Sequence, residues 1–256
     1  MEPKVKLCPV CGKPTEGEIT VFGKTITVGI MCDCKEKDAA RQKTMLEESR
    51  KTVERNRIKE LFCDVSKRDE LLLCTFDKDD GRDEKVSRLC ENYAKTWDMM
   101  KKENIGLVLW GNSGTGKTFY SLCMANHLME NLVKVLFTSI PEILVKPMEE
   151  RNGFIRRMSD YDLIILDDVG TERRNPYTNE ILNLVVDSRY SAKKPIIITT
   201  NYTEDEIRNP SDIANARIFE RIEEMCIIVK CTGDSRRKEL SQEKRKKAIG
   251  LLYRKE

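Results

Sequence analysis

The chain has 256 residues, enough for one substantial domain plus a small one, and 35% of them are charged while the formal net charge is only +3. That balance describes a highly charged surface and excludes an overall polycation. No apolar run is long enough to cross a bilayer, and the first residues, Met1-Glu-Pro-Lys-Val-Lys-Leu-Cys8, lack the apolar core of a signal peptide, so a cytoplasmic protein with no membrane partner is expected.

Ten cysteines in such a chain call for metal or burial rather than a disulfide framework. Cys63, Cys74, Cys90, Cys123, Cys226 and Cys231 are scattered in or beside apolar stretches and read as small buried hydrophobes. The other four come in pairs, Cys8-Pro-Val-Cys11-Gly and Cys32-Asp-Cys34. Between the pairs, Glu18–Phe22 and Thr25–Met31 alternate polar and apolar residues around Gly23-Lys24, the pattern of a β-hairpin with a two-residue turn. The hairpin returns the second pair beside the first, and Cys8, Cys11, Cys32 and Cys34 then offer four thiolates to tetrahedral Zn²⁺. All four positions are filled by protein, so the metal is structural. Residues 1–36 form this zinc-binding domain, too small to fold without its ion.

Residues 37–62 are rich in Lys, Arg, Glu and Gln, with only Met45, Leu46, Val53, Ile58 and Leu61 as a thin apolar stripe; a solvated linker helix is expected. A second domain then spans 63–256. It starts with an irregular acidic stretch containing Asp77-Lys-Asp-Asp-Gly81, followed by a helical pattern over Glu84–Lys102 with Val86, Leu89, Cys90, Tyr93, Trp97 and Met100 on one face.

Next comes an apolar strand, Leu107–Trp110, running straight into Gly111-Asn112-Ser113-Gly114-Thr115-Gly116-Lys117-Thr118 and an amphipathic helix over Phe119–Met129. This is G-x-x-x-x-G-K-T in its strand–loop–helix context. The glycines let the backbone wrap a polyphosphate and aim N–H groups inward, and the helix points its positive dipole end at the same charge. Lys117 reaches the β- and γ-phosphates, and Thr118 places a hydroxyl on Mg²⁺. The chain is therefore expected to bind ATP.

From Gly106 on, short apolar strands (Leu107–Trp110, Val133–Thr138, Leu163–Leu166, Ile196–Thr200, Ile227–Lys230) alternate with helical stretches such as Asn179–Tyr190, which predicts an α/β fold with a parallel sheet covered on both faces. The third strand ends Leu-Ile-Ile-Leu-Asp167-Asp168, a Walker B pattern: Asp167 holds Mg²⁺ with Thr118, and Asp168 polarises the attacking water. The second acid is more often Glu, which leaves open a chain in which ATP only switches binding affinity. Asn201, at the carboxyl end of the fourth strand, is placed to orient water and sense the γ-phosphate. Before the fifth strand, Arg217 and Arg221 lie four apart on one helix face; Arg221 is the candidate finger reaching a neighbouring subunit's γ-phosphate, with Arg217 in reserve. His127, Trp97, Trp110 and Phe154 read as structural. The segment from Arg236 holds nine Lys/Arg against three Glu and one predicted helix, Lys238–Leu252, too little for a full helical lid. Its charge suits a phosphate backbone or a solubilising end equally.

These residues, in this order, resemble the AAA+ family and, more narrowly, the DnaC-type helicase loaders with their IstB relatives. The resemblance is carried through Gly106–Asn201, including Thr138-Ser-Ile-Pro-Glu-Ile-Leu144, Leu166-Asp-Asp-Val-Gly-Thr-Glu172 and Ser188-Arg-Tyr190 before Pro195–Asn201; after Arg221 only Gly233-Asp-Ser-Arg-Arg237 continues it, with Arg237 at the sensor-2 position. It implies the strand order 5-1-4-3-2 and an ATPase that, as a homo-oligomer, delivers a hexameric replicative helicase to single-stranded DNA. It also implies that the four-cysteine domain docks on the helicase. The alternative within the same resemblance is an IstB-like transposition helper that engages duplex DNA and a recombinase.

Overall fold

The computed structural model describes residues 6–66, 68–170, 176–210 and 213–253. They fall into two compact units, Met1–Glu54 and Arg55–Glu256. In the first, β1 (Glu16–Val21) and β2 (Lys24–Gly29) pair antiparallel, with Val21 opposite Lys24. The turn is therefore Phe22-Gly23, one residue earlier than the sequence pattern suggests, with φ of 50° and 77°. A two-residue turn matching the strand twist needs positive φ at both positions. Gly23 adopts it freely, and Phe22 does so with its ring wholly exposed.

α1 (Asp33–Ser66) is one continuous helix of 34 residues, starting inside the second cysteine pair rather than after it. Met45, Leu46 and Val53 are exposed, as expected of a solvated helix. Near its end Ile58 and Phe62 are buried in the core of the second unit.

After two 3-10 turns (Asp69–Leu73 and Phe76–Lys78) comes α2 (Glu84–Lys95), whose N-cap Asp83 accepts the Val86 N–H at 3.2 Å. The expected single helix breaks at Thr96 before α3 (Trp97–Lys102). There the Thr96 hydroxyl donates back to the Asn92 carbonyl at 2.8 Å, the competition by which Thr bends helices. Then follow β3 (Gly106–Trp110), α4 (Lys117–Glu130), β4 (Val135–Ser139), α5 (Ile140–Leu144), α6 (Met148–Arg157) and β5 (Leu163–Val169). The chain continues through α7 (Pro176–Ala192), β6 (Ile196–Thr200), α8 (Glu204–Arg208), α9 (Ile213–Met225), β7 (Cys226–Lys230) and α10 (Arg236–Leu252). The sheet is parallel throughout, in the order β4-β5-β6-β3-β7. Numbered from the strand before the glycine loop, this is 5-1-4-3-2 read from the other edge.

Strand alternation divides the core. Leu107 and Leu109 face a cluster made with α2, α4 and the end of α1, while Val108 faces one made with α5, α6, α7 and α9. Both sheet faces are covered, which is why the strands are nearly all apolar. Arg189 of α7 is fully buried, and its guanidinium donates to the carbonyls of Met158 and Tyr161 (3.0 Å each) and of Asp162 and Pro195 (2.8 Å each). It thereby ties together the segments that enter β5 and β6, the two strands whose far ends carry Asp167, Asp168 and Asn201. Burial pushes its pKa down to about 10.

Candidate nucleotide-binding site

The loop between β3 and α4 has the backbone its glycines predict. Gly111, Gly114 and Gly116 have φ of 147°, 87° and 99°. A Cβ on Gly111 would lie 2.3 Å from the Cys231 carbonyl oxygen, so backbone packing as well as conformation demands glycine there. Thr115 is buried and its hydroxyl donates to the Asn112 carbonyl at 2.9 Å, closing the loop on itself.

Lys117 is buried at the start of α4, and its ammonium donates to the carbonyls of Gly111 (2.8 Å) and Asn112 (2.9 Å) and to Asn201 Oδ1 (2.8 Å). Burial lowers its pKa, an effect partly opposed by Asp168 and Asp167 among its neighbours. Thr118 donates to Asp167 Oδ1 at 2.9 Å. Thr199 donates to the same oxygen at 2.6 Å and accepts the Asp168 N–H at 2.8 Å. Burial raises the Asp167 pKa, and the two threonine hydroxyls oppose the rise. Asn201 completes the chain: its Nδ2 donates to Asp168 Oδ1 at 3.4 Å while its Oδ1 accepts from Lys117.

The register between β5 and β6 shifts between Leu166 and Val169, so the two aspartates occupy a bulge, and Asp168 takes φ of 58°. Such bulges re-aim side chains beside functional sites. Asp167 turns toward Thr118 and Asp168 is exposed beside Asn201. Thr171 and Glu172, at the end of this motif, lie outside the described residues.

Ser113, Gly114, Gly116, Lys117, Thr118, Phe119, Asp168, Asn201, Arg236 and Arg237 line one cleft of about 320 Å³. The cleft thus joins the glycine loop, the Walker B bulge, the end of β6 and the start of α10. Arg221 is not among its lining residues: it pairs with Asp187 of α7 and lies over the Tyr190 ring, 5.4 Å from the centroid. Arg217, a turn earlier, is exposed and makes no ion pair among the described residues. Two residues passed over in the sequence belong to this site. Thr199 sat inside an apolar strand with no motif of its own, and Arg236 was overshadowed by Arg237.

In the N-terminal unit the sulfurs of Cys8, Cys11, Cys32 and Cys34 all lie within 4.8 Å of one another. Backbone N–H groups of Cys11 and Val10 draw the Cys8 thiol down to about 7, while a side-chain hydrogen bond between Cys34 and Cys11 pushes the Cys34 thiol up to about 11. Four crowded thiols with backbone donors around them are a donor set compatible with zinc. Of the remaining cysteines, Cys90, Cys123, Cys226 and Cys231 are buried with raised pKa values, as inert hydrophobes should be; the Cys63 side chain lies outside the described residues. Phe154 is buried in the core and Arg151 donates to the carbonyls of Leu144 (2.7 Å) and Lys146 (2.9 Å), so both are structural. Among the described residues no helix is long and apolar enough to cross a membrane.

Comparison with known proteins agrees with this geometry. The chain is 26% identical over 191 residues to the replicative helicase loader DnaI of Bacillus subtilis, covering 66% of this chain and 60% of that protein. It is 26% identical over 119 residues to the replicative helicase loader DnaC of Escherichia coli K12, covering 44% and 47%. The match therefore spans only about half the length of these relatives. A crystal structure of DnaI superposes with a TM-score of 0.57 at 24% identity, over 66% of this chain and 93% of that one, and shares the fold. Residues 51–245, most of the chain, match the family described as IstB-like ATP binding protein, and the chain is a member of that family of P-loop AAA+ ATP-binding proteins.

Proposed function

We propose that the chain hydrolyses ATP and acts as a helicase loader, delivering a hexameric replicative helicase to single-stranded DNA. The observation that carries the hydrolysis reading is the connected set Lys117–Asn201–Asp168 and Thr118–Asp167–Thr199, assembled from three strand ends around one cleft. Such a set can bind phosphates, position water and place a carboxylate beside it. Thr118 and Asp167 would hold Mg²⁺, which would neutralise charge on the phosphates. Asp168 would take the proton of the attacking water, and Asn201 orients that carboxylate while keeping Lys117 on the phosphate side. An arginine from a neighbouring subunit completes the site in a homo-oligomer. Arg217 can reach a neighbour as it stands, whereas Arg221 must first leave Asp187.

The loader reading is supported by the two relatives of that name and by the four-cysteine unit, which would hold Zn²⁺ through Cys8, Cys11, Cys32 and Cys34 and dock the helicase. The family description favours a second reading, an IstB-like helper for a transposase acting on duplex DNA. Pull-down with the full chain separates them. Capture of a hexameric helicase, with ATP turnover stimulated by single-stranded DNA, supports the loader; capture of a transposase with stimulation by duplex DNA overturns it. Saturable ATP binding with no turnover under either condition would reduce the protein to a nucleotide-switched binding module.

A further inference from the structure

Arg236, the first residue of α10, lines the cleft beside the glycine loop and grips the loop by its carbonyls. Its backbone N–H donates to the Gly114 carbonyl at 3.1 Å, and its Nη1 donates to the Thr115 carbonyl at 2.5 Å. The rest of the guanidinium forks onto Asp80, Nε to Oδ2 at 2.7 Å and Nη2 to Oδ1 at 2.6 Å, with the Tyr120 hydroxyl 3.3 Å from Nη2. The contact is close-packed: a Cβ on Gly114 would lie 2.2 Å from Ser235 Oγ, and one on Gly116 would lie 2.5 Å from Arg236 Nη1.

In a trans peptide the C=O and N–H of one plane point in opposite directions. Fixing the Gly114 carbonyl on Arg236 therefore turns the Thr115 N–H to the opposite side, away from Arg236. Fixing the Thr115 carbonyl on Arg236 does the same for the Gly116 N–H. Inward N–H groups are what a phosphate-binding loop uses to hold its anion. We propose that Arg236, held by Asp80, is a positioning residue that orients the Thr115 and Gly116 amides toward bound phosphate without itself touching the nucleotide. The inference rests on the ATP-binding reading of this loop. It gives the start of the tail helix a role that is shared by ATP and ADP, since the loop amides hold phosphates common to both.

The test is titration of the full chain with fluorescent ATP and ADP analogues, for the wild type, Lys117→Ala, Arg236→Ala, Asp80→Ala and the exchanged pair D80R/R236D. Binding by the wild type and its loss in Lys117→Ala establishes the loop as the site; no binding by the wild type would reject that reading itself. Arg236→Ala and Asp80→Ala are each expected to weaken both nucleotides by about tenfold, the loss of one or two oriented hydrogen bonds. The exchanged pair restores the ion pair but gives position 236 no donor for the Thr115 carbonyl, so melting temperature should recover while affinity stays low. Wild-type affinity in Arg236→Ala overturns the proposal. So does a defect confined to ATP, or tighter binding in Asp80→Ala, because either means that Arg236 contacts the nucleotide directly.

Discussion

Thr199→Val isolates the chemistry of the Walker B bulge from its packing. The side chain is fully buried, and valine keeps its shape while removing one hydroxyl. That hydroxyl donates to Asp167 Oδ1 at 2.6 Å and accepts the Asp168 N–H at 2.8 Å, so the change strips a charge-assisted bond from one acid and an anchor from the other. Hydrogen bonds to charged groups contribute about 1.5–3 kcal/mol, and no cavity is created, so a loss of about 2 kcal/mol is expected in urea unfolding at neutral pH. The sign of the pH dependence follows from Asp167. Its folded pKa lies above the ordinary carboxylate value, so ionising it subtracts stability as the pH rises through that range. Removing a donor to the carboxylate makes ionisation dearer still. The deficit of the variant should be full at neutral pH and shrink as acid protonates Asp167. Thr199→Ser keeps the hydroxyl and loses one methyl, at about 1 kcal/mol, and should retain magnesium-dependent nucleotide affinity that the valine variant loses. A valine variant as stable as the serine one, with equal affinity, would refute the assignment of Thr199 as the organiser of the two acids.

Arg189→Met should cost about 3 kcal/mol in urea unfolding, since four carbonyls lose a charged donor while the cost of burying the charge is relieved; Arg189→Lys should recover little, because an ammonium cannot span the same four acceptors. Metal analysis of the purified full chain should find about one zinc per chain, lost in Cys8→Ser/Cys32→Ser, and chelation should expose residues 6–54 to protease while residues 107–200 stay protected. Arg217→Ala should leave monomer stability unchanged and lower ATP turnover only in the assembled protein; full turnover in that variant together with its loss in Arg221→Ala would return the finger role to Arg221. Arg236 holds the Asp80 carboxyl at about 2, so the contribution of that pair is whole above about pH 4 and is lost as the pH falls toward 2; Asp80→Asn should flatten that part of the acid unfolding curve.

The parts of the site that were legible in the sequence are those whose function needs neighbouring residues. A phosphate loop must be glycine-rich between a strand and a helix, and a metal-binding acid must follow an apolar strand, so Gly111–Thr118 and Asp167-Asp168 announce themselves. The paired cysteines did the same, and strand–helix alternation gave the parallel sheet. Strand order came from family resemblance, because loop lengths do not say which strand neighbours which. Local conflicts were misread: the hairpin turn fell on Phe22-Gly23 because Gly23 suits the second turn position, and Thr96 split a helix through a hydroxyl bond that an apolar stripe does not reveal.

What stayed hidden is the layer that connects these local motifs, and it is hidden for one physical reason. Asp80 and Arg236 are 156 positions apart, and Thr199 and Asp167 are 32 apart. Each pair is common surface or strand chemistry until the fold closes. Once it has closed, the glycine loop is no longer a self-contained element: Asn201 holds its lysine, Asp167 holds its threonine, and Arg236 holds its carbonyls. Docking of α10 and binding of phosphate then draw on the same two peptide planes. Because linkage is reciprocal, whatever factor a docked α10 adds to nucleotide affinity, bound nucleotide adds to the docking of α10. α10 can therefore report the occupancy of the loop at which it begins.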